Sequence, residues 1–230
     1  GDGDFRSDEV KKLRDEADII VTNPPFSLFR EFLAWIVGDG KDKHRGTEAQ
    51  RRGEKKFLII GNMNAITYKE VFPLFQQDRM WLGATGFSTD MVFAVPKGTV
   101  VPAAYKEKAE RLGYVGDYTR LGNSCWFTNI EHGRRHQPLQ LMIEADNIKY
   151  SKHKDVRGVG YRKYDNYDAI EIPYTDAIPS DYKGVMGVPI SFLDKYCPEQ
   201  FEIVGATESE GKGFSNGLWD CSSDVAQPLI

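Results

Sequence analysis

The segment that most constrains this chain is Asp18-Ile19-Ile20-Val21-Thr22-Asn23-Pro24-Pro25-Phe26, an apolar run halted by two successive prolines. Its β-branched residues have the pattern of a strand buried on both faces. A proline cannot donate to a sheet ladder or sit in a helix interior, so the strand ends there in a stiff turn. Beyond it Ser27 is placed as an N-cap, and Leu28, Phe29, Phe32, Leu33 and Ile36 recur at helical spacing until Gly38 and Gly40. The local unit is strand, tight loop, helix.

The same grammar continues. Phe57-Leu58-Ile59-Ile60-Gly61 repeats the buried-strand pattern, and a helix is expected over 67–77, carrying Val71, Phe72 and Phe75. Upstream, Asp8 to Glu16 is charged and helix-permissive. This alternation predicts an α/β fold with a parallel sheet. After Arg79 the texture changes, and 80–85, 91–95 and 124–130 read as strands between Gly, Pro and Asn turns, with Trp126 and Phe127 in the core. Residues 147–167, basic and rich in tyrosine, and 174–187, rich in Pro, Asp and Gly, read as loops. A short helix over 190–196 and a strand over 201–205 complete the series, without internal repeats.

A chain of 230 residues, 40% apolar and 28% charged, can bury one substantial core with room for a smaller appended lobe. No apolar run approaches the roughly 20 residues that cross a bilayer, and the N-terminus has no signal-peptide pattern, so a cytoplasmic protein without a membrane partner is expected. Cys125, Cys197 and Cys221 lie far apart in an odd-numbered set and read as reduced, structural thiols. His132 and His136 have the spacing of metal ligands on a helix, but Gly133 and Pro138 argue against that helix, and no metal is expected. The chain begins without methionine, already in an amphipathic segment, and is expected to be a fragment.

Ligands of open α/β sheets sit outside the carboxyl ends of the strands, which is where the pattern puts Asn23 to Phe26. The prolines remove two donors and leave carbonyl acceptors, Asn23 adds an uncharged side-chain carbonyl, and Phe26 offers a flat apolar face. Such a turn suits an aromatic amine. Its nitrogen lone pair is delocalised into the ring, and two acceptors for its hydrogens draw it towards tetrahedral geometry and stabilise developing positive charge. A base carrying that amine must leave the duplex to reach the turn, and Phe26 would recover part of the lost stacking.

Asp18 to Phe26 resembles the catalytic motif of amino-group methyltransferases. Gly3-Asp4-Phe5-Arg6, Gly61-Asn62-Met63-Asn64, Cys125-Trp126-Phe127-Thr128-Asn129 and 186–196 extend the resemblance to the EcoRI-type adenine methyltransferase family across nearly the whole chain. The resemblance implies a three-layer Rossmann-like methyltransferase sheet, present in part, with a strand- and loop-rich C-terminal part. It implies a catalytic core over 1–145 and a DNA-contacting lobe over 146–230. It further implies S-adenosyl-L-methionine as methyl donor, the 6-amino group of adenine in double-stranded DNA as acceptor, and a restriction-modification or phage setting.

By the same resemblance Asn23, Pro24, Pro25 and Phe26 are catalytic, while Asp4 and Phe5 lie beside the adenine of the cofactor and Asn23 faces both methyl donor and target base. The family's Gly-rich cofactor loop is expected upstream of Gly1, because none of the Gly pairs at 38 and 40, 158 and 160, or 211 and 213 follows a buried strand and opens a helix. Weak cofactor binding by this chain alone is therefore expected. Two alternatives stand beside this reading: methylation of an RNA base or a protein glutamine, and a non-catalytic DNA-binding remnant.

The net charge of −4 does not by itself announce a nucleic-acid partner. Two local clusters do better: Lys41 to Lys56, and Lys149, Lys152, Lys154, Arg157, Arg162 and Lys163, interleaved with Tyr150, Tyr161 and Tyr164. Cations with aromatics between them suit phosphate contact and base stacking, so the second cluster is the expected DNA-binding surface.

Overall fold

The computed structural model describes residues 4–38, 55–87, 91–165, 168–206 and 228–229. Its helices are α1 (Asp8–Glu16), α2 (Phe29–Val37), α3 (Phe72–Gln76), α4 (Ala103–Arg111) and α5 (Glu144–Tyr150). The strands are β1 (Ile19–Thr22), β2 (Lys56–Asn62), β3 (Trp81–Leu82), β4 (Met91–Ala94), β5 (Tyr118–Leu121) and β6 (Ser124–Thr128), followed by β7 (Arg162–Lys163), β8 (Ala169–Glu171), β9 (Val185–Gly187), β10 (Gly205–Ala206) and β11 (Pro228–Leu229). Two compact units result, one of Gly1–Lys41, Glu54–Ile66 and Leu82–Ile130, the other of Asp42–Gly53, Thr67–Trp81 and Glu131–Ile230.

In the first unit α1 starts as its composition predicts: the Ser7 hydroxyl accepts from the Val10 N–H at 3.4 Å, with Asp8 and Glu9 in the first turn and Arg14 in the last. β1 pairs in parallel with β2, Ile19 opposite Lys56 and Thr22 opposite Ile59. The sheet is nevertheless mixed, because β6 enters antiparallel beside β2 in the order β1-β2-β6-β3. The chain reaches β6 through the antiparallel pair β4-β5, with α4 in the connection between its two strands, not by a crossover helix that would return it parallel. The end of the β2–β6 pair is latched by Asn129, whose side chain accepts from the Phe57 N–H and donates to the Lys55 carbonyl, both at 2.9 Å.

β1 differs from the strand expected. Ile19 and Val21 are exposed, not buried on both faces, because among the described residues β1 lies at the edge of the sheet and pairs with β2 alone. β2 meets the expectation, with Phe57, Ile59 and Ile60 buried. Helix α2 buries Phe29, Phe32, Leu33 and Ile36, each worth roughly 1.5–3 kcal/mol relative to exposure. The Phe29 ring lies 5.1 Å from that of Phe127 on β6. A Cβ at Gly61 would come within 2.4 Å of Phe29 and 2.8 Å of Phe127, so only glycine lets α2 seat this closely.

The second unit holds a five-stranded mixed sheet, β10-β11-β9-β8-β7, in which β8 and β9 are parallel and the other pairs antiparallel. Ile172, Ile178, Val188 and Phe192 are fully buried in this unit. The helix expected over 67–77 is shorter: a 3-10 turn covers Met63–Thr67, and α3 begins only at Phe72, because Pro73 fits a first helical turn and no later one. The segments read as loops carry more order than expected. α5 takes in 147–150, β7 takes in Arg162 and Lys163, and Val185–Gly187 is a strand held between β8 and β11. The helix over 190–196 is a 3-10 segment, Ile190–Lys195, while of the strand expected over 201–205 only Gly205 belongs to a strand, which continues to Ala206. Cys125 and Cys197 are buried free thiols, and Cys221 lies outside the described residues.

Two polar features organise this unit. Asp78, at a left-handed φ of 59°, holds the Arg135 guanidinium, and both side chains are at least nine-tenths buried. That guanidinium also lies 3.9 Å from the Trp81 ring and 3.3 Å from the Glu131 carboxylate. The second feature is a seam between 131–139 and 194–200. Arg134 meets Asp194 at 2.7 Å, Leu139 and Gln200 exchange two hydrogen bonds, and His136 sits between Glu199 at 2.6 Å and Glu131 at 3.0 Å.

Hydrogen bonds to Glu199 and then Glu131 raise the pKa of His136, while hydrogen bonds from Cys197 and His136 hold Glu199 down at about 2. The His136 contribution to stability is complete below the unfolded histidine value of 6.5 and is lost as pH rises through the raised folded value. The Glu199 contribution is complete above its unfolded 4.5 and is lost as pH falls towards about 2. The seam is therefore strongest between those unfolded values. Both groups are largely exposed, so its worth is about 0.2–1 kcal/mol. A series of Tm against pH should show His136→Ala closest to wild type on the alkaline side, and an identical gap at every pH would remove the ionic role.

Candidate active site

β1 ends at Thr22, and the two prolines then set the turn. Pro25 has φ −55° and ψ 128°, and its carbonyl accepts from the Leu28 N–H at 2.9 Å to close the 3-10 turn Phe26–Leu28 that leads into α2. Ser27 lies inside that turn and caps nothing, because the prolines start the helical geometry one residue before it. Asn23 is exposed, Pro24 buried, and Phe26 37% exposed. Neither the Asn23 side chain nor the Pro24 carbonyl makes a hydrogen bond among the described residues. Of the two proline carbonyls, then, that of Pro25 is taken by the turn and that of Pro24 makes no hydrogen bond among the described residues.

Asp4 and Phe5 are brought to the helix that follows this turn. The Phe5 ring packs edge-on against Phe32 at 5.2 Å and Trp35 at 5.5 Å, both on α2. Asp4 is gripped by Arg6 through its backbone N–H at 2.9 Å, Nε at 3.0 Å and Nη2 at 2.9 Å. Those hydrogen bonds hold the Asp4 carboxyl below the usual carboxylate range, so it stays ionised at neutral pH. Arg6 also reaches Glu31 on α2 at 3.5 Å. Sequence reading did not find Trp35, whose part depends on a tertiary contact. The Arg6 grip had a local signal, a cation two residues after the carboxylate.

Over residues 1–223 the chain matches the sequence pattern of the family described as adenine-specific methyltransferase EcoRI. The chain belongs to this family. It is 43% identical over 210 residues to the type II methyltransferase M.EcoRI of Escherichia coli, an alignment covering 89% of this chain and 55% of the relative. It is 32% identical over 208 residues to the type II methyltransferase M.MpnI of Mycoplasma pneumoniae, and 34% identical over 206 residues to M.MgeORF184P of Mycoplasma genitalium; each covers 89% of this chain and 56% of the relative. The chain thus spans about half the length of the curated relatives it matches. No solved structure matches it.

In this member of the EcoRI-type family the cations expected to meet DNA belong to the second unit, and all six are exposed. They are not equivalent. Lys152 is paired with Asp176 at 2.6 Å and Lys149 lies 4.8 Å from the Tyr150 ring centre. Lys154, Arg157, Arg162 and Lys163 have no ion pair among the described residues. They flank Val156, fully buried, and backbone bonds from Arg157 to His153 and from Gly158 to Ile148 fix the turns between them.

The interleaved tyrosines divide in the same way. Tyr150 is exposed, but Tyr161 donates to the Ala177 carbonyl at 2.5 Å and burial pushes its phenol up to about 12, while the Tyr164 ring lies against Gly187. Two of the three are therefore packing residues. Of the first basic cluster, 41–54 lies outside the described residues; Lys55 donates to the Asp15 and Ala17 carbonyls and Lys56 to that of Asn129. His136 belongs to the carboxylate seam, and among the described residues no group of His, Cys, Asp and Glu side chains could hold a metal ion. None of the described helices is long and apolar enough to cross a membrane.

Proposed function

We propose that this chain carries the amine-binding turn of a site-specific DNA methyltransferase, built on a three-layer Rossmann-like sheet, that methylates the 6-amino group of adenine in double-stranded DNA. The observation that carries the reading is a pair of acceptors at the carboxyl end of β1, Asn23 Oδ1 and the Pro24 carbonyl, that make no hydrogen bond among the described residues. Each takes one amino hydrogen of an extruded adenine, so the nitrogen lone pair turns away from the ring and the positive charge formed on methylation meets two fixed dipoles. Phe26 covers one face of the base. The extra proton leaves the methylated nitrogen for water.

The methyl donor, S-adenosyl-L-methionine, supplies an electrophilic methyl group on a sulfonium sulfur. A half-buried Phe5 ring beside an ionised Asp4 fits the adenine end of that molecule by stacking and by accepting a hydrogen bond. The deciding experiment supplies the intact protein with labelled donor and offers duplex DNA, RNA and protein in parallel. N6-methyladenine in the duplex is the expected product; label in RNA or on glutamine with none in DNA sinks the reading.

Removing the positive charges of Lys152, Lys154, Arg157, Arg162 and Lys163 together should weaken binding to all DNA sequences alike. The slope of log affinity against log salt should flatten by roughly 0.9 for each phosphate no longer neutralised. Titrations at several salt concentrations measure it, and an unaltered slope returns these residues to solvated surface.

A further inference from the structure

The register of the first sheet brings another asparagine beside the acceptor turn. Thr22 on β1 is opposite Ile59 on β2, so one-to-one continuation sets Asn23 level with Ile60 and brings Pro25 to the level of Asn62, the last residue of β2. Neighbouring strands lie about 4.8 Å apart, well within side-chain reach. The faces agree as well. Gly61 points at Phe29 on α2, so Ile60 and Asn62 point to the opposite side. Val21 pairs with Leu58 and shares that opposite side, and carrying the alternation two residues on puts Asn23 there too. The side is open at this edge, since Val21 is 63% exposed.

The chemistry needed there is a donor. Adenine presents an amino group and, next to it, the acceptor nitrogen N1. The turn can satisfy the amino hydrogens, but its two prolines have no N–H to offer N1. Asn62 is half-buried, and its Oδ1 accepts from the Asn64 N–H at 2.9 Å. That bond fixes which end of the amide is oxygen, and it leaves Nδ2 with no acceptor among the described residues. Ser124, directly opposite on β6, is buried and donates its hydroxyl to the Gly122 carbonyl.

We propose that Asn62 reads the extruded base, its side-chain NH2 donating to adenine N1 while Asn23 and Pro24 hold the amino group. The inference rests on the adenine reading above and adds a specificity-determining residue to it: a base whose N1 carries hydrogen, as in guanine, would face Asn62 with donor against donor.

The test is a cycle between protein and base in the intact protein. Duplexes carry either adenine or 1-deazaadenine, with C–H in place of N1, at the target position, and kcat/KM is measured for wild type, Asn62→Ala and Asn62→Asp. Wild type should lose roughly 5- to 100-fold on the deaza duplex, the range for a missing hydrogen bond that leaves a polar group unpaired. Both variants should lose a similar factor on adenine and almost nothing further on 1-deazaadenine. Asn62→Asp keeps the acceptor for the Asn64 N–H and so separates the missing donor from a disturbed turn. A deaza penalty as large in the variants as in wild type overturns the inference while leaving the adenine reading intact. Failure of wild type to methylate adenine at all overturns both.

Discussion

Replacing Asn23 with alanine should slow methyl transfer by about 30-fold to about 1000-fold, equivalent to about 2–4 kcal/mol of barrier, and should leave DNA affinity close to that of the parent. The side chain is exposed and makes no hydrogen bond among the described residues, so truncating it should cost little folding energy and remove one of the two acceptors proposed for the amine. The prolines keep the backbone of the turn in place. Phe26→Ala should separate a second proposed role, with base capture weakened by about 1–3 kcal/mol of stacking, as reported by a fluorescent analogue at the target position. Phe26→Trp should keep most activity. Single-turnover rates decide the matter, and an Asn23→Ala protein as fast as its parent would leave the tetrapeptide as no more than a bend in the chain.

Asp78→Asn should cost about 3 kcal/mol of stability, the largest effect expected of a charge change in the second unit. Its carboxylate and the Arg135 guanidinium are both almost wholly buried, and removing one partner of such a pair strands the other without water. The typical loss is about 3–5 kcal/mol, and the lower end applies because Arg135 keeps Glu131 and the Trp81 ring. Asparagine tolerates the left-handed backbone at this position, so the change isolates charge from geometry. Glu107→Gln is the internal control, breaking an exposed pair with Arg111 for less than about 0.5 kcal/mol. Urea unfolding of both variants gives the comparison; a loss below about 1 kcal/mol in Asp78→Asn would show that the pair merely offsets its own desolvation.

The parts of the fold legible in the sequence are those whose information is local. Helix α2 announces itself by Phe29, Phe32, Leu33 and Ile36, and β2 by its apolar run, because burial imposes a period that can be read without a partner. Pro73 marks where α3 can start, yet the apolar residues before it, Ile66 and Val71, draw a longer helix on paper. Strand β9 was invisible for the opposite reason: Val185-Met186-Gly187 is extended because β8 and β11 lie on either side, and nothing within the tripeptide says so.

The candidate site divides along the same line. Asn23 to Phe26 could be read directly, since two prolines dictate their own geometry. That Phe5 packs on Phe32 and Trp35, or that Tyr161 and Tyr164 are packed while Tyr150 is not, depends on which distant segments meet, and such pairings leave no trace in spacing.

Gly61 touches no substrate atom in this scheme, yet it acts as the gauge of the whole arrangement. The turn hangs from two supports, the end of β1 and the first residue of α2, and the second support is Phe29, seated in the space where a Cβ on residue 61 would be. Reaction geometry of this kind tolerates errors of only about 0.5 Å, and a displacement of about 1 Å can cost on the order of 100-fold in rate. The clearance granted by one absent methyl group is of that same size. On the proposed function, a side chain at position 61 should therefore slow the transfer by moving the turn, although the residue has no chemistry of its own.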